Sequence, residues 1–228
     1  MKNLLSNLKI EIPSGIYIKD PETSDLGKRI IENSIILIEE IGFESFNFKK
    51  LGKVIGSNES SIYRYFESKH KLLVYLTSWY WGWIQYLLVI ETYSISNAKE
   101  KLIKAIEILA KEAEQDNNFS HINEALLSLI IINENSKSYS TKEVDTENKE
   151  GFFKLYKEVV KRFAEIISNY NSSYKHPLTL ASTIIEGILH QQFVRLHFKS
   201  LTNCNENITT TSFFIELTLN ALSNEREK

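Results

Sequence analysis

Cysteine, proline and glycine are all scarce in this sequence, and each scarcity removes a class of structure. A single cysteine, Cys204, in 228 residues excludes an intramolecular disulfide and suits a reducing compartment, where a lone thiol is incidental. Three prolines and eight glycines leave few chain breakers, so long uninterrupted helices are permitted. An excess of one charge is missing too. The formal net charge is −2, so the chain as a whole is no polycation, and any contact with nucleic acid must come from a local patch. After Lys2 the longest apolar run near the N-terminus is Leu4-Leu5, followed by polar residues and Pro13. That is no signal-peptide pattern, and a cytoplasmic protein is expected.

One stretch approaches membrane length. Leu72 to Ile90 is nineteen residues without a formal charge. It nevertheless holds Thr77, Ser78, Gly82 and Gln85, and its Trp79, Trp81 and Trp83 sit in the middle, whereas membrane tryptophans favour the two interfaces. It therefore reads as a helix buried in a protein core rather than in lipid, and no membrane contact is expected. With 43% hydrophobic residues the chain has enough apolar surface for a sizeable core.

The periodicity is helical almost throughout. Residues 24–41 place Leu26, Ile30, Ile31, Ile35, Leu37, Ile38 and Ile41 mostly on one broad face. Two short helices are predicted at 48–55 and 59–66, with Gly56-Ser57-Asn58 between them, and the aromatic helix follows from Ser68 to about residue 91. Further helices are expected at about 97–115, 121–133, 149–170, 178–199 and 208–223. In the 149–170 segment, Phe152, Tyr156, Val159, Val160, Phe163, Ile166, Ile167 and Tyr170 form the clearest stripe. Residues 134–150 are polar and read as a long loop. "KIEIPSGIYI" alternates weakly around a Pro-Ser-Gly turn, and a packing extension or disorder is expected there ahead of a DNA-reaching arm. The fold class is all-α.

The two short helices carry the sharpest signal. Asn47 can cap the first, with Leu51, Val54 and Ile55 as its apolar side. Gly52 has no side chain, so a second helix can cross closely, and Gly56 suits a left-handed helix end. The second helix turns Ile62 and Phe66 inward and leaves Asn58, Ser60, Ser61, Tyr63 and Arg64 outward. That is a helix-turn-helix whose second helix is free of bulky apolar groups. From Lys49 to Lys71 there are six basic residues (Lys49, Lys50, Lys53, Arg64, Lys69 and Lys71) against Glu59 and Glu67, a local excess of +4. "NFKK" and "SKHK" both put cations at a helix start, where the dipole favours anions. A phosphate polyanion alongside would explain both, with a merely solvated lysine-rich face as the alternative.

The run "GFESFNFKKLGKVIGSNESSIYRYFESKHKLL", residues 42–73, resembles the DNA-binding region of the TetR (tetracycline-repressor) family of bacterial transcriptional regulators. The resemblance rests on Gly42-Phe43 after a long helix, Asn47, Leu51, Gly56, the "IYRYF" run and Lys69. Gly52 and Ser60 depart from the residues most common there. The resemblance implies an N-terminal extension (1–22), a helix-turn-helix domain (23–68) and a helical effector-binding and dimerisation domain (69–228). It implies a homodimer on a palindromic double-stranded operator, released by a small effector. Tyr63 and Lys69 would contact phosphate, Asn47 and Lys49 would approach the backbone, and Ser57, Asn58, Ser60, Ser61 and Arg64 would face the groove.

The resemblance also implies dimerisation through the last two long helices, 178–199 and 208–223, and Ile184, Ile188, Phe213, Phe214 and Leu217 there fit it, being more apolar surface than one small domain must hide. Trp79, Trp83 and Tyr86 share a helix face, as core or as the wall of a pocket for a largely apolar effector, oriented by polar groups such as His190 and Gln191. Glu186, His190 and His197 fall roughly on one face and read as a polar stripe rather than a metal site. No catalytic constellation or cofactor motif stands out, so neither an enzyme nor a cofactor is expected. The contrasting reading is an all-helical small-molecule sensor or carrier without DNA function, which has no reason to keep the +4 patch.

Overall fold

The computed structural model of the chain describes residues 10–111, 121–205 and 207–223. Among them the regular structure is entirely helical. The helices are α1 (Asp25–Ser45), α2 (Phe48–Val54), α3 (Glu59–Tyr63), α4 (Lys69–Thr92), α5 (Ala98–Ala110), α6 (Glu124–Tyr139), α7 (Val144–Lys149), α8 (Lys154–Tyr170), α9 (Pro177–His197) and α10 (Thr210–Ser223), with short 3-10 turns at Ser14–Ile16, Pro21–Thr23 and Lys199–Leu201. None of these helices is long and apolar enough to cross a membrane. The chain divides into two compact units, one within Met1–Gly82 and Glu112–Lys154, the other within Trp83–Lys111 and Leu155–Lys228.

The first unit is built on α1. Ser24 caps it by accepting the Gly27 amide at 3.2 Å, and Ile30, Ile31, Ile35 and Ile38 bury its inner face. Near its end Gly42 takes a positive φ of 75°, a backbone region that costs other residues strain. The chain then turns into α2, capped by Asn47 on the Lys50 amide at 2.9 Å. Leu51, Ile62 and Phe66 close the space between α1, α2 and α3. Two glycines set that corner as their sequence positions suggest: Gly56 has φ of +63°, and a Cβ on Gly52 would stand 2.8 Å from the Ser57 carbonyl oxygen. Ser68 begins α4, its hydroxyl accepting the Lys71 amide at 3.2 Å.

One expectation changes, and one open reading is decided. Residues 134–150 are not a loop, because α6 runs on to Tyr139 and α7 follows. Their polarity misled because several of these polar groups are buried inside the unit and paired there. Glu147 is only 4% exposed yet is met by His70 and Lys71, and nearer the surface Lys137 bridges Glu44 and Glu134 at 2.9 and 2.7 Å. Likewise, residues 10–24 are a packed extension and not a strand pair. Ile16 is buried, and the Ile18 amide donates to the Tyr65 carbonyl at 2.8 Å. The earlier part of that extension, residues 1–9, and the predicted end of the helix at 112–115 lie outside the described residues.

The second unit packs α5, α9 and α10 against one another. Phe214 lies against Gly187, where a Cβ would stand 3.0 Å from its ring. Two buried amides tie helix ends together. Gln192 donates to the Ala110 carbonyl at 3.1 Å, and Asn171 donates to the Leu222 carbonyl at 2.8 Å.

Gly52→Ala sets two effects against each other. A helical Ala gains about 1 kcal/mol over Gly, but forcing a methyl against a backbone oxygen costs about 1–3 kcal/mol. Because the opposing atom is backbone and not a flexible side-chain tip, a net loss of stability is expected, read as a lower urea midpoint; an unchanged or higher midpoint would refute the close crossing.

Candidate nucleic-acid interface

The outward surface of α2 and α3 is polar and locally organised. Asn58 caps α3, and its Oδ1 accepts three bonds: the Ser61 amide at 2.9 Å, the Ser61 hydroxyl at 2.7 Å and the Ser60 hydroxyl at 2.8 Å. Both serine hydroxyls therefore commit their one proton to Asn58 and keep only lone pairs to offer. Tyr63 is exposed, with its ring edge-on to Phe48 at 4.9 Å, which fixes the direction of its phenol. Asn47, Lys49, Lys53, Ser60 and Arg64 are exposed, and Ser57 and Ser61 are half-buried. All the groove-facing residues expected from the sequence thus lie in the short stretch from Ser57 to Arg64, together with Asn47 and Lys49 at the start of α2.

The basic start of α4 has a different explanation from the one the sequence suggests. Lys69 Nζ donates to the carbonyls of Phe43, Glu44 and Phe46 at 3.0, 3.2 and 3.3 Å and lies 4.7 Å from the centre of the Phe43 ring. Its three N–H bonds are thereby matched to the unsatisfied carbonyls at the end of α1, whose negative pole welcomes a cation. His70 Nε2 meets Glu147 at 2.9 and 3.1 Å. Lys71 lies 3.8 Å from the same carboxylate and 3.7 Å from the centre of the Phe152 ring. These cations are placed for protein partners, so they do not by themselves indicate a polyanion. No local pattern could reveal this, since Glu147 lies 77 positions from His70.

The end of α1 is held from a second side, by residues that sequence reasoning passed over. Glu134 accepts the Phe43 amide at 3.4 Å. Lys137, bonded to Glu134 and Glu44, is raised above its ordinary pKa chiefly by its hydrogen bond to Glu134. The Glu44 carboxyl is in turn lowered by Lys137.

Other sequence candidates are scattered. Trp79 is buried in the first unit; in the second, Trp83 is buried, Tyr86 half-buried and His190 exposed. Gln191 is half-buried and accepts a bond from Thr202 at 3.1 Å, and the buried glutamine is its neighbour Gln192. The proposed dimer set divides in two. Ile184, Ile188 and Phe214 are covered by their own unit, whereas Phe213 and Leu217 remain 42% and 44% exposed. Ile184, Ile188 and Phe214 are thus corrected from interface to core. In α10 the inward register is Phe214, Thr218 and Leu222, one residue out of step with Phe213 and Leu217, and that register was legible. Glu186 accepts the Tyr156 phenol at 2.7 Å, and no group of three or more metal-ligating residues forms among the described residues.

Comparison with known proteins agrees with this geometry. Residues 30–76, from α1 through the two short helices into α4, match the profile of bacterial regulatory proteins of the tetR family. No curated protein matches the chain significantly. Among solved structures, the superantigen PfiT superposes with a TM-score of 0.57 at 15% identity, covering 88% of this chain and 97% of its own. AibR, solved with isovaleryl coenzyme A and operator DNA, gives 0.56 at 14%, covering 83% and 94%. The TetR family transcriptional regulator PfmR from Thermus thermophilus gives 0.54 at 14%, covering 86% and 97%. At such identities the likeness is one of fold. Helices, corner and polar outer face define a helix-turn-helix DNA-binding protein. Residues 30–76 match the DNA-binding domain of tetR-family regulators, and the chain is a DNA-binding regulator.

Lys69→Ala separates clamp from phosphate contact. Removing a cation from three carbonyls should cost about 1–3 kcal/mol of stability in urea unfolding. A protein of unchanged stability whose DNA affinity has lost a salt-dependence slope of about 1 would instead make Lys69 a phosphate ligand.

Proposed function

We propose that the chain is a sequence-specific transcriptional repressor that binds a palindromic operator as a homodimer, in the cytoplasm, and is released by a small, largely apolar effector. What carries this reading is the outer face of the helix-turn-helix, where Ser60 and Ser61 are held as acceptors on the Asn58 cap beside exposed Arg64. Ser57, Asn58, Ser60, Ser61 and Arg64 would enter the major groove, while Asn47, Lys49 and Tyr63 would approach the sugar–phosphate backbone. A hydroxyl that only accepts suits the exocyclic amino groups of cytosine or adenine, and Arg64 suits guanine.

Residues 23–68 would serve as the DNA-binding domain and 69–228 as the effector and dimerisation domain. AibR, crystallised with both isovaleryl coenzyme A and operator DNA, supports the pairing of these two roles on one fold. For the effector, Trp83 and Tyr86 of the second unit, with its His190 and Gln191, remain our candidate. For the dimer, the exposed Phe213 and Leu217 of α10, with the exposed Leu178 of α9, replace the buried isoleucines.

Selection of bound sequences from random duplexes tests the reading directly. Two half-sites in palindromic order, with centres about 34–36 Å apart, are expected. Ser60→Ala should change discrimination at the affected base pair by about 1–3 kcal/mol. No enrichment at low salt would leave the chain without its proposed function.

The dimer has its own check. Leu217→Glu, at an exposed position, should weaken self-association at least about tenfold in sedimentation equilibrium while leaving the helical signal intact. Association undiminished by Leu217→Glu and Phe213→Glu together would place the interface elsewhere.

A further inference from the structure

A cavity of about 340 Å³ opens in the first unit, between the N-terminal extension and α4. It is lined by Ile10, Glu11, Ile12, Ser14, Tyr17, Asp20, Glu22 and Tyr75. Its size is in the range that small-molecule sites occupy. It shares no residue with the groove-facing set of α3 or with the Trp79–Trp83–Tyr86 face.

The wall chemistry is one-sided. Three of the lining residues, Glu11, Asp20 and Glu22, carry carboxylates, and none is basic. Of the cations nearby, one answers a wall carboxylate and the other is turned away. His121 Nε2 meets Glu22 Oε1 at 2.8 Å, carrying charge only when protonated, and Lys19 lies 5.1 Å from the centre of the Tyr65 ring. Carboxylates on a solvated surface would mean little. Here they share a concave wall with two aromatic rings, Tyr17 and Tyr75, whose centres are 6.1 Å apart in an edge-to-face arrangement.

Tyr75 is almost wholly buried and packs its ring 5.4 Å from that of Phe66. Its hydroxyl donates to Glu22 Oε1 across 3.4 Å, a long bond for O–H···O. Aromatic faces attract cations through their quadrupole, and carboxylates add Coulomb attraction where solvent is partly excluded. Ile10 and Ile12 supply an apolar flank for the body of a ligand.

We infer that this cavity binds a small organic cation, an ammonium or guanidinium group carried on an apolar or aromatic body. The ammonium would sit among Glu11, Asp20 and Glu22 with the rings of Tyr17 and Tyr75 beside it, and the body would lie along Ile10 and Ile12. The site also touches the recognition machinery through the chain that forms it. Just past the cavity's Tyr17, the Ile18 amide holds the Tyr65 carbonyl at 2.8 Å, and the Ser24 and Tyr65 hydroxyls are 2.7 Å apart. Tyr65 closely follows α3, so an occupant that orders the extension braces the end of the recognition helix.

The test is calorimetric titration of the full chain with 2-phenylethylammonium, and with 2-phenylethanol as its neutral counterpart. Saturable one-to-one binding of the ammonium, at least about tenfold tighter than the alcohol, is expected. Glu11→Gln, at an exposed position, should weaken the ammonium several-fold without moving the melting temperature, and Tyr17→Ala should weaken it several-fold with the helical signal intact. Equal affinity for the two probes, a dissociation constant for the ammonium weaker than about 1 mM, or affinity unaltered in both variants would overturn the assignment. So would tighter binding of calcium than of the ammonium, which would make this an inorganic cation site. A variant lacking residues 1–9 removes Lys2 and Lys9; a gain of more than about tenfold confined to that variant would assign the cavity to the chain's own lysines instead. No outcome depends on DNA binding.

Discussion

At the end of α1 a group of backbone carbonyls has no partner within the helix, and Lys69 reaches them from the first residue of α4. Everything in the recognition corner hangs between those two points. The helices α2 and α3 leave α1 at Phe46 and return to α4 at Ser68, so a clamp between the two longer helices closes the loop that carries them. The opposed poles add to the clamp, since the carbonyl end of α1 attracts both Lys69 and the amide end of α4. Glu134 and Lys137 of α6 hold the same end from the other side. With both ends of the excursion fixed, two short helices that would be marginal alone keep one arrangement. A recognition surface needs that, because base readout tolerates little error in side-chain position.

Much of this corner could be read directly in the sequence, because its signals are local. Asn47, Gly52 and Gly56 announce a cap, a close crossing and a left-handed turn within a few residues of where each occurs. The inward register of Ile62 and Phe66 leaves the outward set by elimination. The cations at the start of α4 were the reverse case. Their presence at helix starts was correctly seen as a conflict with the dipole, but the conflict is resolved by carbonyls and a carboxylate that are remote in the chain. A sequence shows an electrostatic debt without showing who is owed.

Burial of paired polar groups explains the other failure. Residues 134–150 look like solvated loop because they are rich in Glu, Asn, Ser and Lys. In the fold, Asn135, Ser138 and Glu147 are interior, and helical periodicity there is carried by hydrogen-bonding side chains that apolar scales score as surface. The isoleucines of α9 failed for a related reason. Ile184 and Ile188 are as apolar as an interface requires, yet the same property suits an interior, and only the packing of α10 and α5 on α9 decides between them.

The first unit is discontinuous along the chain, drawing on Met1–Gly82 and again on Glu112–Lys154. A ribosome making this protein therefore releases the whole helix-turn-helix long before it supplies the carboxylate that receives His70. Until then Lys71 and His70 crowd the positive pole of α4 unanswered, and the end of α1 lacks its support from Glu134 and Lys137. The nascent corner meets the cell in a less stable form than the finished one, and it tightens only after Trp83–Lys111 of the other unit has been made. Synthesis thus interleaves the two units, and the recognition corner gains its last support only once the chain has passed Glu147.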